Sequence, residues 1–111
     1  VKPVINKTVA LDHSDIEPAF PGGISALTKF LQRNLHSPED ADLSTSVAVR
    51  VKFIVNYDGS LKGFEVLQSG GDIFDEEVLR VLKKMPKWIP GKTSGEDVSV
   101  WFTVPVTFRA E

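Results

Sequence analysis

The stretch that decides the fold of this chain is the run Val98-Ser99-Val100-Trp101-Phe102-Thr103-Val104-Pro105-Val106-Thr107-Phe108. Its even-numbered residues are all valine or phenylalanine, and the odd-numbered residues between them are mostly polar. Because successive side chains of a strand point to opposite faces of a sheet, this period of two predicts one long strand with a single buried face. Trp101 falls on the other face, where it is either covered by the N-terminal residues or exposed as a binding surface.

Pro105 indicates where in the sheet this strand lies. Proline has no amide hydrogen to donate to a ladder, so within sheets it is confined to edge strands and bulges. We therefore expect the last strand to be an edge strand whose partner positions are open along one side.

A hairpin precedes this strand. Residues 47–56 alternate with the same period of two, and Asn56-Tyr57-Asp58-Gly59 has the composition of a tight turn. Residues 61–69 follow as the antiparallel partner. The pattern does not decide which face of this strand is buried, because Phe64 and Val66 occupy even-numbered positions whereas Leu61 and Leu67 occupy odd-numbered ones.

Two amphipathic helices complete the pattern. The first opens after Gly22-Gly23 and ends near Pro38, because proline disfavours helix at and just before its own position. We expect Asp72 to cap the second helix and Trp88, which follows it, to plug the core. The apolar stripes are Ile24, Leu27, Phe30, Leu31 and Leu35 in the first helix and Phe74, Val78, Val81, Leu82 and Met85 in the second.

The predicted fold class is α+β in the order α-β-β-α-β, with two helices packed on one face of a three-stranded antiparallel sheet. Residues 20–111 make up this single domain. Residues 1–19 are expected to be an N-terminal extended arm, either a linker or a loosely docked segment, with one short extended stretch in residues 1–10. Residues 39–46 are polar and are expected to be a loop.

Composition narrows the class of protein. The chain has 111 residues, a net charge of −2 and no cysteine, which excludes thiolate metal sites, disulfides and a cysteine nucleophile. A net charge of this sign gives the chain no overall electrostatic attraction to nucleic acid, so we expect no nucleic-acid partner. The sequence contains neither an apolar run of membrane-spanning length nor a signal-peptide pattern, and it does not begin with methionine. We expect it to be a piece of a longer protein.

The sequence contains few candidates for catalytic or metal-binding residues. His13 and His36 lack metal-ligand spacing, and the acidic residues near position 75 lack the spacing of a calcium loop. A basic run, consisting of Lys83, Lys84, Lys87 and Lys92, could face a phosphate or an acidic partner, although a solvated helix end is the favoured interpretation. We expect no catalytic residue, no metal and no cofactor, and therefore a binding module and not an enzyme.

Several segments in fixed order resemble one known family, the C-terminal domain of TonB energy transducers in the form common among Bacteroidetes. The resemblance spans residues 20–109 and departs from the family pattern at Ser37, Val47, Phe74 and Val78, which are packing changes. It is carried by Phe20-Pro21-Gly22-Gly23, Phe53-Ile54-Val55-Asn56-Tyr57-Asp58-Gly59-Ser60, Val66-Leu67-Gln68-Ser69, Phe74-Asp75-Glu76-Glu77-Val78-Leu79-Arg80-Val81, Met85-Pro86-Lys87-Trp88-Ile89-Pro90-Gly91-Lys92 and Val104-Pro105-Val106-Thr107-Phe108.

The resemblance implies a periplasmic domain that is anchored to the inner membrane through a segment upstream of residue 1, beside ExbB- and ExbD-type partners. It also implies binding of the Ton box, a short extended segment of TonB-dependent outer-membrane transporters, by strand addition to the last strand. Such binding would couple the proton-motive force to nutrient import. The expected partner-binding residues are Val98, Ser99, Val100, Trp101, Phe102, Thr103 and Val104, with the odd-numbered ones on one face of the added strand and the even-numbered ones on the other.

Two other functions keep the same fold. The domain could be a sensor or docking module of a membrane-bound regulatory metallopeptidase or of another envelope protein, which the upstream sequence would decide. It could also be a self-associating module, such as a homodimer, because an open edge strand can pair with its own copy.

Overall fold

The computed structural model describes residues 9–36 and 46–108 of the chain. The expected α+β class and the order of its two helices and three main strands are confirmed, and a short extra hairpin is inserted before the last strand. Most of the expected segment of residues 1–10 and of the loop of residues 39–46 lies outside the described residues. The elements are α1 (Gly23–Asn34), β1 (Val47–Val55), β2 (Leu61–Gln68), α2 (Asp72–Leu82), β3 (Gly91–Thr93), β4 (Glu96–Val98) and β5 (Val100–Phe108).

The main sheet has the strand order β2-β1-β5, and both pairings are antiparallel. The central strand β1 is the most deeply buried element. Its inward side chains, Val49, Val51, Phe53 and Val55, are each 0% exposed. The period of two in residues 47–55 therefore predicted the buried face correctly.

Helix α2 covers the inward face of this sheet. Its predicted stripe is confirmed, because all four of its apolar positions and the following Met85 are buried. Trp88 is also buried, as expected of a side chain that fills the core. Its indole ring packs against three phenylalanine rings at centroid distances of 5.0 to 5.8 Å, those of Phe20, Phe53 and Phe102.

Helix α1 packs less deeply than its pattern predicted. None of its residues is fully buried, although Leu27, Phe30 and Leu31 pack against the core from one side. The expectation that Ile24 belongs to the buried stripe is wrong, because this side chain is 81% exposed. Ile24 lies in the first turn of α1 and lines the wall of a surface groove instead of the core.

Two irregularities in β2 resolve the parity of its apolar residues. Its register against β1 shifts once between the partners of Ile54 and Lys52 and once more between those of Val51 and Arg50. Each bulge adds a residue and so reverses which parity points inward. Leu61 and Val66 can thus both face the core, whereas Leu67 is 46% exposed.

The prediction of one unbroken strand from residue 98 onward is wrong. Val98 ends β4, which pairs with β3, and the chain passes at Ser99 into β5 and the main sheet. The extra hairpin turns at Ser94 and Gly95, which have φ values of 53° and 78°. Two successive positive φ angles are what a two-residue type I′ turn requires, so the Ser-Gly pair was the available sequence signal.

The predicted cap of α2 is also wrong. The N-cap residue is Gly71, no side chain caps the helix, and Asp72 is already its first residue. The carboxylate of Asp75 instead accepts a hydrogen bond from the amide of Gly70 at 2.9 Å and another from the hydroxyl of Ser69. The acid one turn further along therefore ties the helix to the loop before it.

Candidate functional site

The sheet has two edge strands of very different regularity. β5 pairs with β1 through nine consecutive residue pairs without a register shift, whereas β2 is interrupted twice. Bulges blunt an edge, and an uninterrupted edge offers hydrogen-bonding groups at regular intervals. β5 is therefore the better edge for pairing with an additional strand.

Residue Leu11 shows which groups of β5 face outward. Its amide donates to the carbonyl oxygen of Ser99 at 2.8 Å, and its own carbonyl accepts from the amide of Trp101 at 2.9 Å. Because backbone groups alternate between the two sides of a strand, those of Thr103 and Thr107 also point away from β1. Among the described residues, the amide and carbonyl of Thr103 have no backbone partner on that side.

Pro105 follows the same alternation. The amide hydrogen that it lacks would point away from β1, so the ladder between β1 and β5 loses nothing. Its carbonyl remains available on the open side. The prediction from Pro105 that the last strand is an edge is confirmed by the strand order.

The described part of the N-terminal arm, residues 9–19, lies against this part of the domain. It forms a parallel bridge between Leu11 and Val100 and antiparallel bridges from Ile16 to Lys92 and from Ala19 to Ile89. The arm thus occupies the outer side of β5 next to Ser99–Trp101. The open part of the edge, within the described chain, begins at Phe102 and extends towards Phe108.

The seven predicted binding residues do not lie in one strand. Val98 belongs to the small hairpin and Ser99 connects the two sheets, while the other five lie in β5. Sequence reasoning placed inward and outward positions of β5 correctly but had no signal for the pairing with Leu11. The side chains of Val98, Ser99, Val100 and Val104 are buried, those of Trp101 and Phe102 are half-buried, and that of Thr103 is exposed.

Trp101 is half-buried on the outer face of the sheet. The ammonium of Lys52 lies 4.4 Å from the centroid of its ring, within the range of a cation–π contact. A Cβ atom at Gly63 would lie 3.5 Å from the same ring, so the indole extends across β1 towards β2. The arm contacts the backbone of Trp101, and the ring itself lies on neighbouring strands.

A groove of about 260 Å³ lies on the helix-covered side of β5. Phe102 of β5 forms one wall, and the arm and the first turn of α1 form the others. The indole nitrogen of Trp88 is buried here and has no hydrogen-bond partner among the described residues. Sequence reasoning did not anticipate this groove, whose walls include Pro18, Phe20, Ile24 and Leu27.

Neither a metal-binding cluster nor a carboxylate with a shifted pKa lies on β5. Within residues 9–36 and 46–108 there is no group of three or more metal-binding side chains, and no helix there is long and apolar enough to cross a membrane. Hydrogen bonds from Arg80 lower the pKa of Glu77, and hydrogen bonds from Ser60 lower the pKa of Asp58. Neither of these carboxylates lies on β5.

These features define a class of domain: a small α+β fold with a regular, partly open sheet edge that can accept a strand from another chain. Residues 38–110 match the family described as Gram-negative bacterial TonB protein C-terminal. The match covers well over half of the chain, and the chain belongs to this family.

Membership confirms the resemblance seen in the sequence and makes this a TonB-like periplasmic domain. The family is transport-related and non-catalytic, and its members interact with outer-membrane receptors. A comparison with individually curated proteins found no match.

Proposed function

We propose that this domain binds the Ton box of TonB-dependent outer-membrane transporters by adding the Ton-box strand to the open side of β5. It does so as the periplasmic part of a TonB-like energy transducer, which couples the proton-motive force of the inner membrane to nutrient import. The observation that supports this proposal is the uninterrupted edge of β5 beyond the contact with Leu11.

The outward backbone groups provide most of the binding. Thr103 and Thr107 each offer an amide and a carbonyl, and Pro105 offers a carbonyl alone. Each backbone hydrogen bond of this kind contributes roughly 0.5–1.5 kcal/mol net, largely independent of the sequence of the partner. A partner strand can therefore vary in sequence and still bind.

Side chains on the two faces of β5 supply selectivity. On the helix-covered side, Phe102 and Val104 flank the added strand, and the groove beside Phe102 is open to an apolar side chain of the partner. On the outer side, Trp101 and Thr103 flank it. The carbonyl of Ser99 and the amide of Trp101 become available to a partner strand only if Leu11 leaves the edge. Val98 remains paired with Gly91 in the small hairpin, and the backbone groups of Val100 point towards β1.

The same ladder suits the transmission of force. A pull along the direction of β5 loads all of the inter-strand hydrogen bonds together, so that none of them breaks alone. In this proposal a segment upstream of residue 1 anchors the protein in the inner membrane and contacts ExbB- and ExbD-type partners.

The proposal is tested by removing one outward amide. The amide lost in Thr103→Pro is not part of the β1–β5 ladder, so we expect the temperature of thermal unfolding to be unchanged. We expect the affinity for a labelled Ton-box peptide to fall about fivefold or more, which corresponds to the loss of one backbone hydrogen bond together with a steric clash. Thr103→Ser keeps the amide and is the matched control. Fluorescence anisotropy measures both.

A cysteine scan locates the peptide on the domain. The chain has no cysteine of its own, so single cysteines report without background. We expect a Ton-box peptide with a terminal cysteine to form disulfides with Thr103→Cys but not with Glu65→Cys on the opposite edge. Equal binding by Thr103→Pro and wild type, or preferential crosslinking at position 65, would contradict the proposal.

A further inference from the structure

A second groove lies at the opposite edge of the sheet, between the start of β2 and residues 83–87 after α2. Its volume is about 480 Å³. Apolar side chains lie deep in it, because Met85 is buried and Leu61 and Phe64 are half-buried. The outer positions are exposed lysines. This site, called the lysine groove below, is lined by Leu61, Lys62, Phe64, Lys83, Met85 and Lys87, among others.

The positive charge of the lysine groove is only partly balanced within the described chain, because Lys87 lies close enough to Asp58 for the two charges to attract each other. No ion pair there involves Lys62, Lys83 or Lys87, and no aspartate or glutamate lines the groove. The nearby Asp58 is engaged by the amide and hydroxyl of Ser60. Lys92, which belongs with Lys83 and Lys87 to the basic run of the sequence, instead pairs with Asp97 at 2.5 Å. Three lysines therefore line one apolar groove in a chain whose net charge is −2, and two of them, Lys62 and Lys83, form no ion pair with a described residue.

The backbone of β2 adds hydrogen-bonding groups. The amide of Asn56 donates to the carbonyl of Ser60 at 2.8 Å, so by alternation the backbone groups of Leu61 point away from β1. The bulge that follows limits this stretch to a few residues. A short extended segment can use these groups, whereas a long added strand cannot.

We propose that the lysine groove is a second docking site, which binds an acidic peptide segment carrying one large apolar side chain. The apolar side chain packs on Met85 and Phe64, and the flanking carboxylates pair with Lys62, Lys83 and Lys87. The apolar residues are buried or half-buried whereas the lysines around them are exposed, and this arrangement favours a peptide that inserts one side chain between the lysines over a flat membrane surface. The site does not depend on strand addition at β5.

The test uses fluorescence anisotropy with a labelled peptide that has two acidic residues on each side of a phenylalanine. We expect the combined variant Lys62→Gln, Lys83→Gln and Lys87→Gln to bind this peptide about tenfold more weakly, the sum of three exposed ion pairs. The control carries the same change of charge elsewhere, as Lys29→Gln, Arg33→Gln and Arg50→Gln, and is expected to bind within about twofold of wild type. Circular dichroism confirms that both variants are folded.

Two further probes separate this proposal from its rivals. A peptide with alanine in place of phenylalanine should bind several-fold more weakly, because the groove then remains empty. Vesicles containing anionic phospholipid should bind no better than neutral vesicles. The proposal is overturned by absence of peptide binding, by equal loss in the two charge variants, by equal affinity of the alanine peptide, or by a preference for anionic vesicles.

Discussion

Gly59 shows how a single residue joins the hairpin to the core. Its φ is 86°, and a Cβ atom built on it would lie 2.3 Å from the carbonyl oxygen of Trp88. Its own carbonyl accepts the amide of Trp88 at 2.9 Å. The turn therefore needs glycine for two reasons, its left-handed backbone and the close approach of the segment that carries Trp88.

These two reasons can be separated by comparing Gly59 with Gly95. Gly95 has a similar φ of 78°, but a Cβ atom there meets nothing within 4 Å. We expect Gly95→Ala to lower the free energy of unfolding by about 1–2 kcal/mol through backbone strain alone. Gly59→Ala should cost about 1–3 kcal/mol more, because backbone atoms must also move apart. Urea denaturation measures both, and equal losses would show that the contact with Trp88 does not matter.

At the scale of elements, an ion pair within α2 connects this helix to the end of α1 through hydrogen bonds to the backbone there. The guanidinium of Arg80 donates to the carboxylate of Glu77 and, at 3.0 Å, to the carbonyl of Asn34 at the end of α1. Glu77 also accepts from the amide of His36 at 2.6 Å. The pair thus satisfies backbone groups that the end of α1 would otherwise leave open, which helps to hold a helix that has no fully buried residue.

This arrangement predicts a pH dependence of stability. Hydrogen bonds from Arg80, and then from His36, lower the pKa of Glu77 from its ordinary value of 4.5 in the folded state. The stabilisation is therefore present above that value and is lost as the pH falls through the lower folded pKa of Glu77. We expect Glu77→Gln to reduce the loss of stability between about pH 6 and about pH 3.

The matched control for this prediction is Glu76→Gln. Glu76 is exposed on the same helix and forms no ion pair within the described chain. Its substitution should leave the acid loss of stability as in the wild type. Chemical denaturation at several pH values distinguishes the two variants, and identical pH profiles for both would rule out the role assigned to Glu77.

At the scale of the whole molecule, the N-terminal arm determines how much of β5 is open. Removing residues 1–12 eliminates the bridge at Leu11 and leaves those at Ile16 and Ala19. We expect the amide of Trp101 to lose its protection from hydrogen exchange in this variant, because Leu11 is its acceptor. The amide of Phe102 points towards β1 and should remain protected, which provides an internal control. Persistent protection of Trp101 would show that the arm does not cover the edge in solution.

Local patterns were sufficient for most of the fold. A period of two identified β1 and β5, helical spacing identified both helices, and Pro105 indicated the edge, because each of these signals depends on neighbours in the chain. The likeness to TonB C-terminal domains rested on such segments as well. The position of the candidate strand edge could thus be predicted from residues that lie within one run.

Only the tertiary structure decided what depends on distant residues. The bulges of β2, the exposure of Ile24, the pairing of Leu11 with β5 and the two grooves all arise where different elements of the fold meet. The break at Ser99 differs from these, because the Ser94-Gly95 turn before it was a local signal. Alternation of side chains follows from the geometry of one strand, but the occupancy of its outer side follows from which other backbone reaches it. The sequence therefore determined that β5 is an edge, and the packing of the arm determined where that edge is open.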